Sequence, residues 1–418
     1  MRGMKPIFLL GVLLVFLVQG ATAAGTFDVR KYGASGDGKT KDTAAFQRAL
    51  DAAATAGGGD VLVPAGDYFI GSIELKSNTT LRLAKDAHLI GSPDMNDYPV
   101  VKVRWEGRWV DGHQGLIYAR NAKHIGVVGP GRISGTPTLK GRQTPREPAL
   151  IEPIDSTDIV LDGFSAEQRL MWAIHPTYSD NIEIRNLNIR TTGGNGDGID
   201  IDSCRHVRIE DCDIDTGDDA IAIKSGRGME GLREGRLTED VLISHCILGD
   251  SIFAAIGIGS ETSGGIRNIR IEHVKVTHAK TYAFYIKSRV GRGAFIEDIS
   301  VDDMEVGPDA EGFLRISLLT SGLQDPEPVT GDAGIPTTKN FRFKDIKVSG
   351  GTLVDAVAVS PEKPIQGFSL TNVSGTVKKG IALANIANAE FREIKVTGYS
   401  GNLFTTTNVT GTGLSEPK

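Results

Sequence analysis

Eight aspartates (Asp197, Asp200, Asp202, Asp211, Asp213, Asp215, Asp218 and Asp219) are interleaved with glycines and isoleucines between residues 193 and 226. Crowded carboxylates resist ionising together, so one keeps its proton while a neighbour stays charged. An acid beside ionised bases is the equipment for glycoside hydrolysis: one carboxylic acid protonates the leaving oxygen and another carboxylate activates water. Alternation sorts the set. In Ile199-Asp200-Ile201-Asp202 the isoleucines face one way and the aspartates the other. Ala220-Ile221-Ala222-Ile223-Lys224 alternates small and branched apolar residues, as a strand packed on both faces does. Just before each strand sits a glycine-flanked acid: Asp197 between Gly196 and Gly198, and Asp218-Asp219 after Gly217. Strands stacked one above the other would gather these three carboxylates at one end of neighbouring coils. Aspartate–glycine clusters also form plain turns or calcium sites with oxygen ligands; the density of acids favours catalysis.

Stacking requires a repeat, and the sequence carries one. Ile182-Glu183-Ile184-Arg185-Asn186-Leu187-Asn188-Ile189 reads apolar-x-apolar-x-polar-apolar-x-apolar. The phrase occurs earlier from Ile159 and recurs from Val207, Val241 and Ile269, with later copies starting at Ile299, Phe341, Phe368 and Phe391. Separations of roughly 23 to 42 residues lie in the range of β-solenoid coils, which bury an apolar core only by stacking. The expected fold is therefore all-β, a right-handed single-stranded parallel β-helix of about nine or more coils. It would form a single domain over residues 24–418. Residues 43–56 read as a short helix capped by Asp42 or Thr43, with Phe46, Ala49, Leu50 and Ala53 on one face. Such a helix would cover the open end of the stack. Long intervals between copies mark loops at 136–153, 227–238 and 307–338, which would wall one side of the coils.

Residues 1–23 read as a secretion signal: Arg2 and Lys5 precede the apolar run 6–18, and Ala21-Thr22-Ala23 fits a small-residue cleavage site. The expected location is periplasmic or extracellular, with no membrane span elsewhere. A formal charge of −6, made more negative by loss of Arg2 and Lys5, disfavours nucleic-acid partners. An acidic substrate would then need a local basic patch to draw it in against the global field. The abundance of glycine (52 residues) and scarcity of aromatics (6%) suit tight turns and small stacked side chains. Cys212 and Cys246 occupy equivalent repeat positions, as a buried thiol ladder or, alternatively, a bridge. No Cys/His set has metal-ligand spacing, so neither metal nor cofactor is expected, and the chain is read as a monomer.

Asn195-Gly196-Asp197, Gly217-Asp218-Asp219 and Ile223-Lys224-Ser225-Gly226 resemble the Asn-Thr-Asp and Asp-Asp motifs of the polygalacturonases of glycoside hydrolase family 28. The resemblance continues through Trp172-Ala173-Ile174-His175-Pro176, Ile258-Gly259-Ser260-Glu261 and Ile286-Lys287-Ser288-Arg289. It implies a pectin-lyase-like solenoid that hydrolyses pectic polysaccharide, galacturonan or rhamnogalacturonan, with inversion. The long loop after Arg227 resembles the bacterial exo-acting branch. By the same resemblance Asp218 is the general acid, and Asp197 and Asp219 hold and deprotonate water. Lys287 would contact a sugar carboxylate, with Arg289, Arg292, His175, Tyr285 and Lys224 as further substrate-binding residues. Two departures stand out. The family's Gly-His-Gly segment falls on Ile252-Phe253-Ala254, and its Arg-Ile-Lys arginine becomes Tyr285. Aromatic groups there suggest a neutral or deoxy sugar at one subsite. A pectate-lyase-like eliminase and a non-catalytic glycan-binding β-helix are the alternatives.

Overall fold

The repeat phrase closes into stacked rungs. In the computed structural model, which describes residues 25–415, Ile159, Ile182, Val207, Val241, Ile269, Ile299, Phe341 and Phe368 lie directly above one another in parallel register. All are buried. Leu161, Ile184, Ile209, Ile243, Ile271, Val301, Phe343, Leu370 and Phe391 form the adjacent column. Each fully buried branched side chain contributes about 1.5–3 kcal/mol relative to exposure. The columns together make one core that no single coil could build. The register corrects the last copy of the phrase: Ala389 lies under Phe368, and Phe391 belongs to the next column. A small apolar residue at 389 disguised the true start. The predicted secretion signal lies outside the described residues.

Twenty-six strands share one sheet and three more (Ile73–Glu74, Ile117–Arg120 and Ile151–Ile154) pair in parallel in a second, and the architecture is a parallel β-helix. The exception among the named strands is an antiparallel hairpin, Val100–Trp105 with Arg108–His113, that projects from the coils. Corners between rungs are made by a left-handed residue just ahead of a core residue: Asp158, Asn181, His206, Asp240, Asn268, Asp298 and Asn340 all have φ between 53° and 59°. Asn, Asp and His tolerate this region better than other non-glycine residues. Their side chains link rung to rung, as where Asn340 Nδ2 donates to Asp298 Oδ1 at 2.8 Å. Cys212 and Cys246 are free and buried, as is Cys204.

Helix α1 (Thr43–Thr55) buries Ala45, Phe46, Ala49, Leu50 and Ala53 against the first coils. Asp42 occupies its N-cap position without capping it; its carboxylate instead accepts from the backbone N–H groups of Ser35 and Gly36 at 2.7 and 3.0 Å. The segment 227–238, expected as a loop, contains helix α2 (Gly228–Glu234), closed by Gly235 in the left-handed conformation. The register carries Ile199–Asp202, Ile221–Lys224, Ile256–Ile258 and the ends of Ile266–Lys287 and Phe295–Ser317 onto one face. That face holds the site.

Candidate active site

Two glycine turns carry the acids. The turn before Ile199–Asp202 presents Asp197, and the turn before Ile221–Lys224 presents Asp218 and Asp219. They lie back to back because a Cβ on Gly217 would fall 2.3 Å from the Gly193 carbonyl oxygen. Asn195, left-handed at φ 61°, donates its backbone N–H to Asp218 Oδ2 at 3.2 Å. The Asp219 backbone N–H holds the other oxygen at 3.0 Å. Asp219 is fixed in turn by the Ala254 N–H at 2.9 Å and the Lys287 ammonium at 2.5 Å. One oxygen from each of Asp197, Asp218 and Asp219 lies within 4.8 Å of the others. A single water molecule fits hydrogen-bonding distance from all three, since such bonds run to about 2.5–3.0 Å.

Charge beneath the cluster tunes it. Parity holds: Ile199 and Ile201 point into the core, while Asp200 and Asp202 point outward yet remain buried, at 0% and 1% exposure. Lys224 Nζ lies 2.5 Å from Asp200 and 3.7 Å from Asp197, and 4.0 Å from the Trp172 ring centroid. Burial, then the charge of Asp200, pushes Asp197 well above the usual carboxylate range. Burial and adjacent Asp219 raise Asp218. Asp202 goes the other way: although burial opposes ionisation, the Arg104 guanidinium 3.3 Å away holds it low. Burial disfavours the charge on Lys224 and Lys287 too, but Asp200 and Asp219 respectively more than restore it. The site therefore keeps two ammonium groups charged and makes full ionisation of its acids costly.

The cluster floors a cavity of about 210 Å³ whose lining includes Trp172, Asn195, Phe253, Glu261 and Leu323 besides the acids and lysines. Arg142, Glu106 and Arg227 close one side. Arg142 pairs with Glu106. Arg227 reaches Glu106 at 3.4 Å and Asp325 at 3.1 Å. This ion chain ties the hairpin, the 136–153 loop, the start of α2 and the 307–338 segment together.

Several expected contacts are not made. His175 is fully buried, 3.5 Å from Glu152 and edge-on to Trp172, so it supports the floor without reaching a sugar. Arg292 is also buried; its guanidinium donates to the carbonyls of Ser260 and Leu323, and burial lowers it to about 10. Arg289 spends one amino group on the Gly322 carbonyl and braces the loop outside the cavity. Tyr285 backs Phe253, its ring stacked 6.0 Å away, instead of lining the cavity. Lys224 lines it but is engaged by the two aspartates. The cations missed by the sequence reading, Arg142 and Arg227, belong to loops it recognised as walls. Loop residues carry no periodicity that aims them, so nothing singled them out.

Fold and site together define a carboxylate-based β-helix glycosidase. Residues 26–309 match the family described as rhamnogalacturonase A/epimerase, pectate lyase-like. A probable polygalacturonase of Vitis vinifera is 32% identical over 82% of this chain and 72% of its own length. An exo-poly-alpha-D-galacturonosidase of Dickeya chrysanthemi is 24% identical over 83% of this chain and 65% of its own length. The exopolygalacturonase of Thermotoga maritima superposes with a TM-score of 0.69 at 25% identity, covering 90% of this chain and 92% of that one. The chain belongs to this family and is a polygalacturonase-like member of glycoside hydrolase family 28.

Proposed function

We propose that this enzyme is exported and, acting as a monomer, hydrolyses glycosidic bonds of a pectic polysaccharide with inversion, removing units from a chain end. The convergence of Asp197, Asp218 and Asp219 around a water-sized gap carries the hydrolase part of this reading; the gap is narrower than the roughly 6.5–9.5 Å that inversion ordinarily leaves between acid and base, so inversion rests on the family resemblance alone. Asp218 is the most exposed of the three and its carboxyl is raised, which suits delivery of a proton to the leaving oxygen. As the C1–O bond breaks, Asp197 and Asp219 take the proton of a water that attacks C1 from the opposite face. Lys287, Arg142 and Arg227, each already paired with an acid, are the cations beside the cavity that a uronate carboxylate could share. Chain-end action is supported by the cavity size, below the roughly 300–1,000 Å³ of sites that enclose drug-sized ligands, and by the ion chain across one side. Two ammonium groups at 2.5 and 3.7 Å from the acids repel a calcium ion, which disfavours an eliminase.

The test is product analysis on homogalacturonan and rhamnogalacturonan, with the anomer of the new reducing end followed by NMR. Short products with initial inversion are expected. An unsaturated product absorbing in the ultraviolet would select the eliminase; binding with no reducing-sugar release would select the glycan binder.

A further inference from the structure

The outward column that leaves the carboxylate cluster runs Gly257, Tyr285, Arg315, Asp355, each paired with the next in register. Gly257 lies under Asp219 and Lys287: a Cβ there would fall 2.8 Å from Asp219 Oδ2 and 3.1 Å from Lys287 Nζ. Two rungs on, at about 4.8 Å per rung, is Arg315. Between them stands an apolar step. Phe253, 36% exposed, lies over Tyr285, and Lys287 Nζ is 4.8 Å from the Phe253 ring.

The Arg315 guanidinium rests 5.4 Å from the Tyr285 ring centroid and 5.7 Å from that of Tyr282. Stacking of this kind holds a guanidinium flat and leaves its edge free. Its ion pair with Asp355 is 3.6 Å through Nε, longer than a hydrogen bond. No hydrogen-bonded partner meets its terminal amino groups among the described residues. The side chain is 42% exposed. Arg315 thus stands one coil beyond Tyr285, in register with it on the same face.

We propose that Arg315 is an anion subsite for a uronate of the substrate chain, one sugar beyond the unit that rests on Phe253. The inference rests on the pectic-hydrolase reading and specifies its ligand: an acidic sugar in the pocket beside Lys287, a unit presenting an apolar face to Phe253, then a second acidic sugar. The Phe253 face offers a carboxylate no donor, which disfavours one resting on that ring between the two cationic positions. Recognition thereby favours alternation of acidic and neutral units, or a uronate with its carboxylate turned outward.

The experiment compares wild type with Arg315→Ala and Arg315→Lys on defined acidic oligosaccharides, some ending before this position and some long enough to cross it. The same oligosaccharides with methyl-esterified carboxylates serve as controls. The expected result is a KM for the long substrates raised about five- to tenfold in Arg315→Ala, partial rescue by lysine, unchanged short-substrate kinetics, and loss of the wild-type advantage on esterification. Equal effects on short and long substrates, or none on either, overturn the subsite. Binding of the long oligosaccharides is measured by calorimetry in parallel. If the wild type cleaves none of them, the hydrolase reading fails, while weaker binding by Arg315→Ala still upholds the subsite and equal binding refutes it.

Discussion

A single proton decides whether the cluster works. Replacing Asp218 with Asn keeps the shape and removes the acid. The expected outcome is a turnover loss of about 10²–10⁴-fold, with the protein still folded and its thermal midpoint lowered by only about 4–8 °C, because the amide keeps one of the two backbone hydrogen bonds that the carboxylate accepts. Activity retained in this variant removes the assignment. The pH profile follows from signs. Asp218 is raised above its ordinary 3.8 by burial and Asp219, so its acid form persists to higher pH than that of a free aspartate and activity falls as pH climbs through the raised value. Asp197 is raised further, by burial and Asp200, and must lose its proton to act as base, so activity is lost as pH drops through the lower apparent value of the cluster. Such neighbours titrate as a unit, giving two apparent values for the cluster. Asp200→Asn removes the like charge and frees Lys224 to favour ionised Asp197. The acid limb of kcat/KM should shift to lower pH; a shift to higher pH contradicts this electrostatic role.

At the scale of elements, the acids depend on turns and walls. Gly217→Ala would put a methyl group against the Gly193 carbonyl, forcing the two turns apart. A loss of about 1–3 kcal/mol and near-complete loss of activity are expected, read by denaturant unfolding and turnover; a stable, active variant would show that the turns do not need this contact. The ion chain through Glu106 is tested by Glu106→Ala, which unties Arg142 and Arg227. Longer products, and a faster fall in polymer viscosity per bond broken, are expected if the wall enforces chain-end cutting. The sequence made much of this legible and some of it not. Period-2 alternation and the recurring phrase placed Asp197 beside Asp218 and Asp219, because in-register stacking converts sequence spacing into position. The burial of His175 and Arg292 was not legible, since motif membership says nothing about which side of a rung a side chain occupies. Helix α2 hid in a charged stretch with weak periodicity. The left-handed corners had a signal that went unread: an Asn, Asp or His stands directly before core residues such as Ile182, Val207 and Ile269.

Over the whole molecule, two electrical ranges compete. The chain carries −6, while Lys224, Lys287, Arg142 and Arg227 gather around one small cavity, interleaved with Asp197, Asp218, Asp219, Glu106 and Glu261. A long acidic polymer feels the sum of distant charges; a short oligomer already in the cavity feels the nearest cations. Salt separates the two, because the Debye length falls from about 30 Å at 0.01 M to about 10 Å at 0.1 M. Screening over that span removes much of the long-range repulsion. It weakens less the contacts of a carboxylate held among half-buried groups. The KM for polymeric acidic substrate should therefore fall as salt is raised from 0.01 to 0.1 M, while that for a short oligomer stays level or rises slightly. The comparison is made at fixed pH, with initial rates on both substrates. A polymer KM that climbs with salt as steeply as the oligomer's would mean that capture is governed by the cavity cations alone, and that the acidic surface plays no part in how the polymer approaches.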